Sequence, residues 1–529
     1  MDRLKLGLLH LSVKHKAPNE NRNEILNYAK EAALSGANII VAPELSVSGY
    51  SFGSRDDIAK FTETADGETV QALRQLAEKY GVYIVLGFAE RDPATNIFYN
   101  SAIALSPSGD TVCLFHKITA ETRWACPGKP TQENTFETPW GKIALLICSD
   151  TYFGPIPRVA AMCGADLLIV PANWPSSGMD PKVLWRARAV ENDLFVAACN
   201  RGGVDLAMSC HEAWSCAYSP NGEELLARKS ADSAVFYVEL PLTEAGKIHK
   251  NGRDWLSERN PALYAPMYLD MRYASDLTTY YNLPKPGELD VFTFTAPKEE
   301  VFSHAFIQCQ IEAHRKQGNP SLFVFPMGRI QNAKDIRQLS LIATAFDVNI
   351  CAGVEVEGKP KMIVLAEKNG ELTLHRNANE LGADSLCMVD IDHARVAIAF
   401  PEELIHPEFS MSASKLGCDL VICSAESLDE NMQICLGAKT IEQVCVAVAA
   451  TNRAFICQPP VGHSPWLESV SFDEMPCQET LQTKSTRKKR FHDRIDFERL
   501  LHLTPKKADT EADEFKIEVV VSTQNGESK

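Results

Sequence analysis

The feature that most constrains this chain is an internal repeat. The apolar segment 321–328, Ser-Leu-Phe-Val-Phe-Pro-Met-Gly, resembles segment 38–45, Asn-Ile-Ile-Val-Ala-Pro-Glu-Leu. Three later stretches resemble earlier ones in the same order: 396–401 and 143–148, 417–422 and 164–169, 452–453 and 200–201. Segments that recur in one order indicate that one scaffold is built twice. Because 529 residues are also too many for one ordinary core, we predict two domains, 1–285 and 286–529.

Strand and helix patterns alternate along the first half. Apolar runs predict strands, and amphipathic spacing predicts helices. The strands are 4–12, 37–42, 82–88, 167–170 and 194–199, and the helices are 21–35, 69–80, 158–163 and 185–192. Segments 101–105 and 112–115, joined by a turn at 107–110, predict a hairpin. Alternation interrupted by a hairpin predicts an α/β fold with a mixed sheet.

Three apolar runs of the first half each end on a residue that can take part in chemistry. Glu44 follows run 37–42, Lys117 follows 112–115, and Cys148 ends the run that begins at Gly141. Strand ends are where α/β folds usually carry their active groups. A buried cysteine alone is more often a small hydrophobic residue, and 16 cysteines are present. The company of Glu44 and Lys117 is what makes Cys148 a candidate nucleophile.

Ordered motifs over residues 1 to about 270 resemble the nitrilase superfamily of carbon–nitrogen hydrolases. The matches are P-E-L-x-x-x-G-Y at Glu44, I-C-S-D at Cys148, Phe153 and Arg158 in C-x-D-x-x-F-P-E-x-x-R, Pro171-Ala172-Asn173-Trp174, 188–192 and 259–264. Two features depart from the family pattern: Pro155 replaces a glutamate, and the loop after Lys117 is short. Glu121, in E-T-R-W-A-C-P-G, resembles the family's second glutamate.

The resemblance implies a four-layer αββα sandwich, duplicated in tandem, and a role for each site residue. Glu44 would act as the general base, and Cys148 would form a thioester. Lys117 and the backbone N–H of Ser149 would stabilise the oxyanion, and Lys117 is expected to lower the pKa of Cys148. Glu121 would orient Lys117 or the substrate amine.

Five further residues are candidates for binding the substrate. Tyr50 lies in a stretch, 45–52, that is too apolar and too rich in small residues for an ordinary surface loop. The others are Asn173, Trp174, His211 and Trp214. A buried tryptophan more often belongs to the core, so that alternative stays open for both Trp residues.

The second half repeats the scaffold without the reactive residues. Met327 stands where Glu44 was, and Pro401 stands where Cys148 was. Near Ala378, no lysine takes the position of Lys117. Losing nucleophile, base and oxyanion donor together predicts a catalytically silent domain.

Composition limits the classes of partner. A net charge of −16 argues against nucleic acid and anionic membranes, and no apolar run is long enough to span a bilayer. Scattered cysteines without C-x-x-C spacing predict reduced thiols in the cytoplasm and no metal site. The first residues predict a strand and not a signal peptide. We expect no cofactor.

Family members pair through a helical face beside the active site. The resemblance therefore implies that helices 158–163 and 185–192 pack against 409–416 and 434–444 as an intramolecular pseudo-dimer, with a homodimer as an alternative. A Pro/Gly-punctuated connector at 270–288 would join the halves. The basic run 484–490 predicts a solvated loop, and 515–521 a last strand.

The function that these motifs predict is thiol-dependent hydrolysis of a non-peptide carbon–nitrogen bond. A small linear amide or N-carbamoyl amine is favoured, because Asp150 after the nucleophile is commoner in amidase and carbamoylase branches. The alternatives are a nitrile hydrolase and a non-enzymatic ligand-binding or scaffold protein. The first half keeps Glu44, Lys117 and Cys148, whereas the second half lacks all three counterparts. This difference argues against the scaffold, because sequence drift without selection should not spare the residues of one half only.

Overall fold

The computed structural model describes residues 3–206, 208–274, 276–315, 318–330, 333–460, 471–472 and 474–501. The strand predicted at 515–521 lies outside these residues. Within them the protein is α/β, and each half contains two large mixed sheets. The predicted fold class, a sandwich of this kind built twice, is confirmed.

The first half holds fourteen strands and five α-helices among the described residues. Its strands are β1 (Arg3–His10), β2 (Ile39–Val41), β3 (Tyr83–Arg91), β4 (Phe98–Leu105), β5 (Thr111–His116), β6 (Thr135–Thr138), β7 (Gly141–Leu145), β8 (Leu167–Pro171), β9 (Phe195–Cys199), β10 (Val204–Asp205), β11 (Met208–Ser209), β12 (Ser215–Tyr218), β13 (Glu224–Arg228) and β14 (Ala234–Pro241). Its helices are α1 (Pro18–Leu34), α2 (Arg55–Ile58), α3 (Glu68–Tyr80), α4 (Pro155–Met162) and α5 (Pro181–Asn192). The two large sheets have the orders β14-β1-β2-β3-β4-β5 and β13-β12-β9-β8-β7-β6.

The short helix α6 (Leu277–Tyr280) precedes the second half. Its strands are β15 (Glu288–Thr293), β16 (Ser321–Arg329), β17 (Asn349–Glu355), β18 (Met362–Ala366), β19 (Leu372–Arg376), β20 (Met388–Ile391), β21 (Ala394–Ala399), β22 (Leu420–Ser424), β23 (Cys445–Ala449), β24 (Ala454–Cys457) and β25 (Gln478–Gln482). Its helices are α7 (His304–His314), α8 (Ala333–Phe346), α9 (Ala378–Leu381), α10 (Pro401–Leu404), α11 (Pro407–Lys415), α12 (Glu430–Ala438), α13 (Thr483–Thr486) and α14 (Phe497–Leu500). The sheets have the orders β19-β18-β17-β16-β15-β25 and β20-β21-β22-β23-β24.

The buried side chains arrange these elements in layers. In the first half, α1 and α3 cover the outer face of the β1 sheet, and the inner faces of the two sheets share one core. The second half repeats this with α7 and α8 outside and its own core between its sheets. Parallel strands β1-β2-β3 and β7-β8-β9 form the centre of each first-half sheet. Their carboxyl ends therefore meet at one rim, where chemistry can be assembled.

Two predicted strand boundaries were wrong near this rim. The strand predicted at 37–42 is shorter, Ile39–Val41, and the run from Gly141 leaves its strand at Leu145 and not at Cys148. The cause is local: the Asp150 carboxylate accepts the N–H of Ile147 at 3.1 Å and so turns the chain into a 3₁₀ turn over Cys148–Thr151. The nucleophile candidate thus lies on a turn.

The two halves contact each other through helices α4 and α5 of the first and α11 and α12 of the second. One apolar core continues across this contact and includes Ile156, Leu184, Phe409 and Ile434. All four helices begin earlier than the sequence predicts, and the helix predicted at 434–444 ends at Ala438, where a 3₁₀ turn, Lys439–Glu442, follows. The connector is fastened to the second half as well, since Tyr281 donates its hydroxyl to the carbonyl of Lys415 at 2.8 Å.

The basic run 484–490 is only in part the solvated loop that its charge predicts: Lys484, Lys488 and Arg490 are exposed, but Arg487 and Lys489 are bound by the second half. Arg487 is buried, and its guanidinium binds the Asp419 carboxylate at 3.0 Å and the carbonyl of Pro284 at 2.6 Å. Lys489 donates to the carbonyl of Gln443 at 2.9 Å. Two of its cations therefore fasten the C-terminal segment, because carbonyls at helix ends and one buried carboxylate need donors.

All 16 cysteines are free thiols. In the described part of the chain, no helix combines the length and apolar character needed to cross a bilayer.

Candidate active site

Glu44 follows β2 and is completely buried. A close approach of β3 makes this position possible, because a side chain on Gly87 would place its Cβ only 2.7 Å from the Glu44 Cα. Leu45, the next residue, has a φ of 49° in the left-handed region. Strain of this kind is expected where a backbone turns sharply to aim a functional side chain.

Lys117 lies between two carboxylates. Its Nζ is 2.6 Å from Glu44 Oε1 and 2.6 Å from Glu121 Oε1, and none of the three side chains is appreciably exposed. Although burial disfavours the charged form, Glu121 and Glu44 raise the pKa of Lys117 well above its usual value. A buried cation with this much support stays protonated and serves as a fixed positive charge.

Asn100 is a site residue that the sequence analysis missed. Its side-chain Nδ2 donates to Glu44 Oε1 at 2.7 Å and to Glu121 Oε2 at 2.9 Å. Asn100 lies within β4, fully buried, so it holds the two carboxylates at a fixed separation. The available signal was a polar residue inside an apolar strand, where burial requires a partner.

The two carboxylates differ in their protonation. Burial raises the pKa of Glu44 above its usual range, despite Lys117. Burial opposes ionisation of Glu121 too, yet Lys117 and hydrogen bonds from Asn100 and Tyr50 lower its pKa. Glu44 Oε2 has no hydrogen-bond partner within the described residues, whereas both Glu121 oxygens are engaged. Glu44 is therefore suited to exchange protons, and Glu121 to remain an anion.

Cys148 opens the 3₁₀ turn and is 1% exposed. Its φ of 46° lies in the left-handed region, which is unfavourable for any residue with a Cβ. Asp150 maintains the turn by joining it to the segment after Lys117, since its Oδ1 accepts the Thr119 N–H at 2.8 Å. Burial raises the pKa of Asp150 to about 6, although these hydrogen bonds oppose the rise.

The predicted lowering of the Cys148 pKa is wrong. Burial and then the charge of Glu44 raise it well above the usual value, while Lys117 and a hydrogen bond from the Asn173 backbone act in the opposite direction. Desolvation disfavours a thiolate more than one cation can compensate, because that cation is shared with two carboxylates. Cys148 rests as a thiol and needs a base to react.

Three of the predicted binding residues lie beside this cluster. Tyr50 donates its hydroxyl to Glu121 Oε1 at 2.8 Å, and Ser149 shares a hydrogen bond with Thr119 Oγ1 at 2.7 Å. Asn173 contacts Cys148 through its backbone, and its buried side-chain Nδ2 has no partner among the described residues. A buried unpaired donor next to the nucleophile is suited to a substrate carbonyl or carboxylate.

The other three predicted binding residues are placed differently. Trp174 is completely buried against Trp185, and its indole donates to the carbonyl of Met179 at 3.1 Å, so it belongs to the core. Trp214 is half-buried beneath the ammonium groups of Lys182 and Lys229. His211 is exposed, and among the described residues neither it nor Trp214 has a hydrogen bond or ring contact to Glu44, Lys117, Glu121 or Cys148.

No group of three or more metal-binding side chains converges among the residues that the structure describes. The cluster of Glu44, Lys117, Glu121 and Cys148 is instead a set of one thiol, one base, one fixed cation and one fixed anion. This set can supply a nucleophile, a proton shuttle and charge stabilisation to an acyl transfer.

Comparison with known proteins agrees with this chemistry. The Carbon-nitrogen hydrolase family pattern matches residues 6–250 and does not match the second half. A probable nitrilase of Schizosaccharomyces pombe is 32% identical over 261 residues, which are 48% of this chain and 92% of that protein. The chain belongs to the carbon–nitrogen hydrolase family, within the nitrilase superfamily.

Other known proteins are similar to the first half of the chain. An omega-amidase of Homo sapiens is 26% identical over 264 residues, covering 47% of this chain and 93% of that protein. Among solved structures, Nit3 of Saccharomyces cerevisiae is 25% identical, with a TM-score of 0.41, over 45% of this chain and 89% of that one. An amidase from Nesterenkonia sp. AN1, solved with acrylamide, is 22% identical, with a TM-score of 0.39, over 45% of this chain and 91% of that one.

Proposed function

We propose that this protein is an amidohydrolase that cleaves small linear amides or N-carbamoyl amines through a thioester on Cys148. The observation that supports this most is the division of roles around Lys117. Glu44 has a raised pKa and a free oxygen, whereas Glu121, bound to the same ammonium, has a lowered pKa and is held as an anion. In a purely structural ion pair, a buried carboxylate oxygen without a partner, such as Glu44 Oε2, would serve no purpose.

In the first half-reaction, Glu44 removes the proton from the Cys148 thiol, and the sulfur attacks the substrate carbonyl carbon. Lys117 and the Ser149 N–H stabilise the tetrahedral oxyanion. Glu44 then gives the proton to the leaving nitrogen, so the carbon–nitrogen bond breaks and ammonia or an amine departs. The raised pKa of Cys148 suits this order, because deprotonation is coupled to attack.

In the second half-reaction, Glu44 deprotonates a water that attacks the thioester carbonyl. The carbon–sulfur bond breaks, the carboxylic or carbamic acid leaves, and Cys148 regains its proton. Glu121 keeps Lys117 oriented throughout, and Asn100 preserves the separation of the two carboxylates. Tyr50 supports Glu121, and Asn173 Nδ2 binds a polar group of the substrate.

We propose that the catalytic unit is 1–285 and that 286–529 is silent. Met327 and Pro401 take the positions of Glu44 and Cys148, and neither side chain can donate, accept or transfer a proton. The helical contact between the halves supports an intramolecular pseudo-dimer. The second half would then be a structural partner.

A direct test is a screen of acetamide to butyramide, ω-amides of amino acids, N-carbamoyl amino acids, ureas and short nitriles. Wild type and Cys148→Ala are compared, with Cys199→Ala as the matched control, since Cys199 is also a buried thiol of the first half. Amide or carbamoyl turnover that is lost only in Cys148→Ala supports the proposal. Turnover of nitriles alone would favour the alternative of a nitrile hydrolase. If no compound is turned over, the alternative of a non-enzymatic ligand-binding or scaffold protein is favoured.

A second measurement examines the intermediate. Mass spectrometry of wild type quenched during turnover should show an acyl adduct on the peptide that contains Cys148. Unselective alkylation is a poor substitute, because Cys126, Cys309 and Cys477 are exposed and Cys148 is not.

A further inference from the structure

The turn that carries Cys148 is held from outside by Arg188. The Arg188 Nε donates to the carbonyl of Thr151 at 2.8 Å, and its Nη2 donates to the carbonyl of Tyr152 at 2.5 Å. Thr151 returns to the nucleophile, because its hydroxyl donates to the Cys148 carbonyl at 2.7 Å. Since Arg188 is buried, its position fixes where the turn lies.

Arg188 is itself held by a carboxylate that the second half shares. Its Nη1 donates to Glu191 Oε1 at 2.6 Å, one turn along α5. The other oxygen of Glu191 accepts the ammonium of Lys439, which follows α12 in the second half. Glu191 and Lys439 are at most 1% exposed, so each charge depends on its partner and not on water.

A second contact reaches the same segment. The N–H of Gly154, six residues after Cys148, donates to Glu442 Oε1 at 3.0 Å across the boundary between the halves. Gly154 also needs to lack a side chain, because a Cβ there would lie 2.7 Å from the Pro407 Cβ and 3.1 Å from Arg188 Nη1. The second half therefore acts on the Cys148 turn at two places: through Lys439 and Glu191 on Arg188, and through Glu442 on the backbone at Gly154.

We propose that Lys439 and Glu442 are positioning residues for Cys148, supplied by the half that lacks catalytic groups. Without Lys439, Arg188 is the one cation among the described residues that still binds the Glu191 carboxylate directly, because Arg158 donates only to the Glu191 carbonyl, and the Glu442 carboxyl acts on the same Arg188 guanidinium. Arg188 is then drawn toward the carboxylates and away from the carbonyls of Thr151 and Tyr152. Displacement of the turn by about 1 Å is enough to lower an enzyme's rate about 10²-fold.

The inference rests on the proposed function for its kinetic part. The test compares Lys439→Met in the full chain with Lys415→Met, a matched control. Lys415 is likewise a buried lysine of the second half that donates to first-half carbonyls, those of Met267 and Leu269, but it has no link to the Cys148 turn. Glu442→Leu and Glu442→Gln form a second pair, because glutamine retains an acceptor for the Gly154 N–H.

Two readouts are taken on folded, monodisperse protein. Hydrogen exchange of the peptide 148–158 needs no substrate, and we expect it to accelerate about tenfold or more in Lys439→Met but not in Lys415→Met. With the best amide of the acetamide-to-butyramide series, kcat should fall about 10²-fold in Lys439→Met while KM changes less than about threefold. Glu442→Leu should follow the same pattern, and Glu442→Gln should resemble wild type.

The outcomes separate the two proposals. Wild-type exchange at 148–158 and wild-type kcat in a folded Lys439→Met or Glu442→Leu would overturn the inference, as would equal effects in Lys415→Met. If wild type hydrolyses no amide, the proposed function fails, and the exchange data alone decide whether the second half holds the turn. If Lys439→Met does not fold, the Glu442 pair gives the same decision.

Discussion

The turns after β7 and β21 are counterparts in the two halves, and they keep the same hydrogen bonds while differing in their first residue. In the first half, Asp150 accepts the N–H groups of Ile147 and Thr119 at 3.1 and 2.8 Å. In the second, Glu403 accepts those of Phe400 and Ala378, both at 2.7 Å. The acid therefore specifies the turn in both halves, whether or not a nucleophile precedes it.

The difference at the first residue of the turn concerns strain. Cys148 has a positive φ, whereas Pro401 occupies the same position with a ring that permits only a negative φ. A strained backbone costs about 1–2 kcal/mol and persists where it serves a function. At this position the second half has neither the thiol nor the positive φ of Cys148.

The charged groups around the two rims are similar in kind but differ in exposure. In the first half, the buried side chains of Glu44 and Glu121 share one ammonium, that of Lys117. In the second, the partly exposed Lys298 likewise binds two carboxylates, those of Glu355 and Glu426, and hydrogen bonds from Lys298 and Lys361 lower the pKa of Glu426 to about 2. A cleft of about 220 Å³ remains there, lined by Met327 and Pro401 among others. A cavity therefore remains in the half in which Met327 and Pro401 stand at the positions of Glu44 and Cys148.

The largest expected effect tests the difference in reactive groups. Cys148→Ala, Glu44→Gln and Lys117→Ala should each lower kcat at least about 10⁴-fold, because the three act as one unit. The counterparts Met327→Leu and Pro401→Ala should remain within about twofold of wild type. Steady-state rates on the best amide measure both sets of variants. If a folded first-half variant retained more than a few per cent of wild-type activity, the substituted residue would not be catalytic.

The next prediction separates the halves physically. Residues 1–285 expressed alone should aggregate or lose most of their activity, because α4 and α5 would expose the apolar surface that α11 and α12 now cover. Size-exclusion chromatography with light scattering and a rate assay provide the measurement. A soluble monomer with wild-type kcat would show that the second half is dispensable.

A smaller effect distinguishes two carboxylates at the contact between the halves. Burial raises the pKa of Glu442 to about 7 from an ordinary 4.5, so its contribution to stability is lost as pH rises from about 4.5 through 7. Burial opposes ionisation of Glu408 as well, but Arg158 and Arg259 lower its pKa, so its contribution is lost as pH falls below about 4.5.

Urea unfolding between pH 3 and 8 should therefore give opposite changes for the two variants, above about pH 4.5 for Glu442→Gln and below it for Glu408→Gln. Relative to wild type, Glu442→Gln should gain about 3 kcal/mol between pH 4.5 and 8, the free energy that corresponds to the pKa change. Glu408→Gln should be less stable than wild type, and the difference in the free energy of unfolding should be smallest at acid pH. Parallel curves for the two variants would contradict the assignment of these pKa directions.

The smallest effect tests strain directly. Cys148→Gly should be more stable than Cys148→Ala by about 1 kcal/mol, because glycine adopts a positive φ without strain. At Pro401 the order should reverse, with Pro401→Gly less stable than Pro401→Ala by a similar amount. The urea midpoints of the four variants measure these differences in stability. If alanine and glycine had the same order at both positions, backbone strain at Cys148 would not distinguish the two turns.

What the sequence could predict depends on how local the cause is. The proximity of Glu44, Lys117 and Cys148 can be predicted because the ends of neighbouring strands share one rim, whatever the details of packing. Asn100 was missed because a polar residue within a strand reveals its partners only when the sheet is assembled. The Cys148 pKa was predicted in the wrong direction because desolvation depends on burial, which no motif encodes.

Long-range contacts account for the remaining errors. Arg487 looked like part of a solvated run, but its partner Asp419 lies 68 residues away in sequence. Trp174 and Trp214 were candidates for binding the substrate. Trp174 instead packs against Trp185 in the core, and Trp214 lies beneath Lys182 and Lys229. Side-chain neighbours of this kind are set by tertiary structure, which sequence spacing does not determine.

Gly154 and Pro407 hold the same place in their halves, and they contact each other. Such a pair marks an axis of approximate twofold symmetry, on which each residue of a true homodimer would meet its own copy. Fusion into one chain removes that restriction: a glycine can face a proline, and Arg158 and Arg259 can share Glu408, which stands where the first half has Pro155. Two identical first halves would oppose Gly154 to Gly154 and leave Arg158 without Glu408. The joined halves have thus become complementary, and neither surface is now complementary to itself.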